Sequence, residues 1–147
     1  MSLSPERITD LITDFVEPCV KVIELQLSLA SKTQEDAMAD LWSLGYCFGA
    51  LDAMGRRANL DQYTDGIALI TIGFLRLAGD DKGPDHVRRA LDHQTDQLFF
   101  EGNYAGGSDM FDWTSKKGYT PLMLMNYFTF GRPRFDPDNK PNNSQKP

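Results

Sequence analysis

The side chains best suited to proton chemistry in this sequence are a few acids and two histidines. Asp85-His86 and Asp92-His93 repeat a dipeptide seven residues apart, and Asp52 interrupts the apolar run from Gly49 to Met54. An imidazole facing a carboxylate in a cleft serves as acid and base near neutral pH. A small-ligand or hydrolytic pocket between helices, lined by Asp52, His86, His93, Asp109 and Asp112, is therefore one reading of the chain. The spacing argues against it. Seven helical residues separate the histidines by about 10 Å along the axis, too far for one metal ion. Asp52 has Arg56 one turn away as an ion-pair partner, and the histidines stand among Arg88, Arg89 and Asp96 on what reads as a solvated face.

Other chemistry is not signalled. Cys19 and Cys47 lack metal-ligand spacing and read as buried thiols, with a disulfide between adjacent helices left open. The acids of segment 101–113 do not follow the calcium-loop pattern, and no phosphate-binding glycine loop is present. No metal and no cofactor are expected.

The elements that must position these groups are helices. Ala37, Leu41, Leu44, Phe48 and Leu51 step by three and four residues, as do Leu60, Tyr63, Ile67, Ile70, Phe74 and Leu77. Each set falls on one helix face, which neighbouring helices must cover. Ser4-Pro5-Glu6 starts a first helix that Pro18 should kink or divide. Thr33-Gln34-Glu35-Asp36 resembles a capping box and opens a second helix running to about Ala58. A third runs from Asn59 to near Gly79, a fourth from Pro84 to Gly102, and a short last one from Pro121 to Gly131. Segment 103–118 reads as an irregular loop, because glycines and polar residues crowd it. The expectation is an all-α, single-domain bundle of four to five helices spanning 1–131. A flexible, proline- and asparagine-rich tail, 132–147, follows.

Composition narrows the partners. The 147 residues, 41% of them hydrophobic, suffice for one domain with a real core. A net charge of −6 argues against nucleic acid and against a polybasic membrane contact. The longest apolar run, Ile67 to Leu75, is too short to span a bilayer. The first residues carry no apolar signal core, so cytoplasmic residence is the expectation.

Two features point beyond a self-contained core. Gly45 and Gly49 lie four apart and Gly66 and Gly73 seven apart, which suggests that the second and third helices touch along a glycine-lined seam, or that one seam meets another chain. The third and last helices also carry more apolar residues than one face requires. Leu122, Met123, Met125, Tyr127 and Phe128 crowd the last one. Tyr104, Phe111 and Trp113 in the expected loop either pin it to the bundle or anchor a partner. The segment Leu44-Gly45-Tyr46-Cys47-Phe48-Gly49-Ala50-Leu51-Asp52-Ala53 resembles part of the small helical immunity proteins of the Tai type. It covers ten of 147 residues and implies a neutralising role. The leading expectation is a non-enzymatic helical interaction factor, adaptor-like, chaperone-like or neutralising, that forms a homodimer.

Overall fold

The computed structural model describes residues 4–60 and 63–135, side chains at 63 and 64 excepted. In chain order the elements are α1 (Pro5–Leu11), a π-helical turn (Ile12–Val16), α2 (Glu17–Leu29), α3 (Gln34–Ala39), α4 (Leu41–Arg57), α5 (Tyr63–Ala78), α6 (Gly83–Asp92), α7 (Gln97–Ser115) and α8 (Met123–Phe130). No strand occurs among the described residues, so the fold is all-α as the periodicity predicts. The first three elements run on as one rod. Counting that rod once gives seven helices among the described residues, more than the four or five expected.

The extra helices come from caps that side chains build inside apolar stretches. Ser4 caps α1 by accepting from the Arg7 N–H. Pro18 neither breaks nor divides the rod. It offers no N–H to the carbonyl one turn back and its ring crowds that carbonyl, and the helix widens into the π turn just upstream. Thr33 and Asp36 form the reciprocal capping box at α3. The stretch expected to continue to Ala58 breaks at Asp40, whose ψ of 127° is extended and whose carboxylate accepts from the Ser43 N–H to start α4. The expected fourth helix also divides. His93 ends α6, and Asp96 accepts from the Leu98 N–H to start α7.

The largest departure is α7. The segment expected to be irregular from Asn103 is helical through Ser115. Glycine costs a helix interior about 1 kcal/mol relative to alanine, and α7 contains three, Gly102, Gly106 and Gly107. Their use is in packing. Residues Trp42 to Leu51 of α4 are all buried, which makes α4 the centre of the bundle, and α7 lies against it. A Cβ on Gly102 would sit 1.8 Å from the Trp42 carbonyl oxygen, and one on Gly106 would sit 2.1 Å from that of Tyr46. From the other side, a Cβ on Gly45 would meet the Phe99 carbonyl at 2.2 Å and one on Gly49 the Asn103 carbonyl at 2.1 Å. Contacting positions rise together along both helices, so α4 and α7 run parallel, with α5 and α6 as the return path. At such separations backbone C–H groups meet carbonyls directly.

The glycine seam expected between the second and third helices is therefore corrected. Gly45 and Gly49 face α7. Gly73 does face α4, tight against the Leu51 side chain, while Gly66 has none of the described residues within 4 Å of its Cβ position. The apolar excess of α5 is likewise absorbed: Leu69, Ile70, Phe74 and Leu77 are buried, and Ile67 and Ile72 pack on the core. Both cysteines are free and buried, with Cys19 Sγ 3.9 Å from Met110 Sδ. Burial pushes both thiols up, Cys47 to about 12. No helix among the described residues is long and apolar enough to cross a membrane.

The seam makes opposite predictions for two glycines. Gly102→Ala should destabilise the fold by about 3 kcal/mol or more, because backbone atoms must move. Gly66→Ala should be neutral or stabilise by up to about 1 kcal/mol through helix propensity. Urea unfolding of the two variants reads the difference.

Candidate functional site

Where α4 and α7 pass their glycine contacts, they leave an open groove of about 890 Å³. Its floor includes Gly107, whose missing side chain leaves helix backbone open, beside the buried Gly49. One wall is an aromatic stripe on α7: Phe100, Tyr104 and Phe111 are four and seven residues apart and share a face. Phe100 is 43% exposed and Phe111 64%. The polar rim is internally paired. Arg56 holds Asp52 at 3.1 Å, Lys116 holds Asp112 at 3.3 Å, and the Arg57 guanidinium donates to the Thr114 carbonyl at 3.1 Å.

The structure brings together only part of the expected acid–histidine pocket. Asp52 and Asp112 line the groove. His86 lines a different cleft beside Glu35, Asp80 and Lys82. There the Arg89 guanidinium lies 2.9 Å from His86 Nδ1, and burial, then the Arg89 charge, lowers the imidazole's pKa. His93 is the residue that ends α6. No group of three or more His, Cys, Asp or Glu among the described residues is arranged to hold a metal ion.

Asp109 is fully buried, and its role is structural. Its carboxylate accepts from the Tyr46 hydroxyl at 2.6 Å, from the Tyr119 hydroxyl, and from the Met123 N–H at 3.0 Å. Gln26 completes the cluster: its amide donates to the Tyr46 oxygen at 2.9 Å, and its carbonyl accepts from the N–H groups of Leu124 and Met125 at 2.9 and 3.1 Å. These are the first N–H groups of α8, which has no capping side chain of its own. Residues distant in sequence therefore cap α8 from inside the core, and the buried carboxylate also meets the positive end of its dipole. Burial nonetheless raises the Asp109 carboxyl, outweighing its donors, and burial beside that carboxyl raises the Tyr46 and Tyr119 hydroxyls.

The remaining expected interface residues divide. Trp113, Met123, Tyr127 and Phe128 pack, partly buried, against the core. Tyr127 stacks on Trp42 with centroids 4.2 Å apart and donates to Asp40 at 2.8 Å. Leu122 and Met125 are half-buried, and Phe130, at 80% exposure, is the most open large apolar side chain described. Tyr104 and Phe111 lie in the groove.

Sequence reading missed Glu101, Phe100 and the start of the tail. Gly131, at φ 95° and ψ −175°, occupies backbone space that is essentially glycine-only and turns the chain off α8. Arg132 then forks onto the buried Glu101 carboxylate, at 2.8 and 2.6 Å. Phe135 meets the Phe100 and Tyr104 rings edge-on, at 5.6 and 5.4 Å. The segment 132–135, expected to be flexible, is thus a docked strap, while the rest of the expected tail, 136–147, lies outside the described residues. Arginine and aromatic residues three apart in an otherwise polar tail were the available signal.

No protein-family model matches this chain, and neither a curated protein nor a solved structure matches it. The resemblance of segment 44–53 remains one of ten residues.

Two predictions follow from the caps and the strap. Gln26→Met should cost about 2–4 kcal/mol, since buried N–H groups lose their acceptor, and hydrogen exchange at Leu124 and Met125 should accelerate ahead of the rest of the core. The Arg132 hydrogen bonds hold Glu101 below the usual carboxylate range. The strap's contribution is then present above the unfolded value of about 4.3 and lost as pH falls through the lower folded value. A fluorinated phenylalanine at position 135 should shift in its fluorine resonance over that acid range, and Glu101→Gln should abolish the transition.

Proposed function

We propose that this chain is a cytoplasmic, non-enzymatic interaction factor that takes a partner protein in the groove between α4 and α7. The observation that supports this reading is the α7 stripe, and Phe111 above all, which stands 64% exposed in a concave site. A phenylalanine left open in a concavity is the kind of side chain that anchors an interface. The paired ions at the rim suit this role, because they surround the apolar strip with polar atoms that need little rearrangement on docking. A homodimer is the form of this reading in which the partner is a second copy using the same face.

Replacing Phe111 with a photo-crosslinking phenylalanine tests it in cells of the native source, with the same replacement at the exposed Thr13 as control. A single discrete adduct at 111 and none at 13 is expected. An adduct at twice the chain mass identifies a homodimer, and any other mass a different protein. Identical adduct patterns at both positions, or none at 111, would contradict the reading.

A further inference from the structure

We propose that the strap, Arg132 to Phe135, is a resident and displaceable occupant of the groove's aromatic end, and that the cognate partner presents an arginine followed three residues later by an aromatic ring. The inference rests on the groove reading above and adds the chemistry of its ligand. The chain itself supplies the template. Glu101 is a buried carboxylate whose Oε2 is steadied by the Gln97 amide at 3.0 Å, and both its oxygens are offered to one guanidinium. Such two-point pairing selects arginine over lysine. On α7, Phe100 just before Glu101 and Tyr104 one turn after it present their rings to the edge of a third. The two subsites are joined by a three-residue step, Arg132 on Glu101 and Phe135 on Phe100 and Tyr104.

The strap is built to be displaced. Its Arg132 side chain is 52% exposed, and Phe100 remains 43% exposed with Phe135 in place. Phe111 lies about 10 Å beyond Tyr104 along α7 and is left open by the described residues. A partner that repeats the arginine–aromatic pair and continues to Phe111 covers more of the stripe than the strap does. The strap's advantage is its tether, which presents it at an effective concentration of about millimolar. It therefore sets a threshold that weak, non-cognate segments do not pass.

The test uses the full chain and a fluorescent peptide of sequence Gly-Arg-Pro-Arg-Phe, read by anisotropy. R132A/F135A, which disables the strap at exposed or surface positions, should bind the peptide at least tenfold tighter than the wild type. Adding Phe100→Ala, or changing the peptide's first arginine and phenylalanine to alanine, should remove binding, with circular dichroism confirming that each variant is folded. Equal affinity of wild type and R132A/F135A, binding of the alanine peptide, or no binding to either protein would overturn the proposal. Wild-type dimers that dissociate in R132A/F135A would also overturn it, by placing the strap in a neighbour's groove. If crosslinking at 111 yields a partner while the peptide fails, only this inference falls; if both fail, the groove reading falls as well.

Discussion

Everything else in this molecule depends on how closely α4 and α7 approach each other. Four glycines, Gly45, Gly49, Gly102 and Gly106, bring two parallel helices to backbone contact at the centre of the bundle. Parallel neighbours cannot be joined by a short turn, so α5 and α6 must form the return path, and they cover the other sides of α4 in doing so. The glycines lower the intrinsic helicity of α7, and tertiary burial overrides that deficit. Burial of α4 has a second cost: among the described residues, Trp42 Nε1 and Ser43 Oγ are buried without hydrogen-bond partners. Each such group costs about 1–3 kcal/mol, which packing along the seam must exceed.

The same contact shapes the candidate site. Beside the tight crossing, Gly107 leaves backbone as a floor, and α7 lifts its aromatic stripe along it. The opposite face of α7 carries Asp109 into the core. With Gln26 and Tyr46, that carboxylate fixes where α8 begins. The position of α8 sets that of Gly131, and Gly131 aims Arg132 at Glu101. A buried polar cluster thus helps to place the strap, although none of its members touches the groove's aromatic end. Asp109, placed from sequence in the alternative acid–histidine pocket, instead lies in the core and caps α8.

Much of the core was legible in the sequence, because apolar spacing reports burial. Leu44, Phe48 and Leu51 of the α4 stripe are buried as their periodicity requires. The glycine pair in α4 was also visible. Its partner was not, because Gly102, Asn103, Gly106, Gly107 and Ser108 are residues that favour turns when nothing packs against them. Local propensity and tertiary contact conflict there, and the contact prevails. The break at Asp40 was hidden for a related reason: its cap lies inside an apolar stripe that continues in phase across it. The capping of α8 by Gln26 and Asp109 left no local signal, since the acceptors lie 98 residues from Leu124 and 14 from Met123 rather than within the turn before the helix.

The parallel seam is the central claim, and nuclear Overhauser contacts between the two backbones test it most directly. Cross-peaks should join Gly102 Hα to Trp42 and Gly106 Hα to Tyr46, with Gly49 Hα to Asn103, so that partner numbers rise together along α4 and α7. Cross-peaks running in the opposite order, Gly106 to Trp42 and Gly102 to Ala50, would mean an antiparallel pair. So would their absence mean a wider one, and either result would remove the basis for the groove, the caps and the strap.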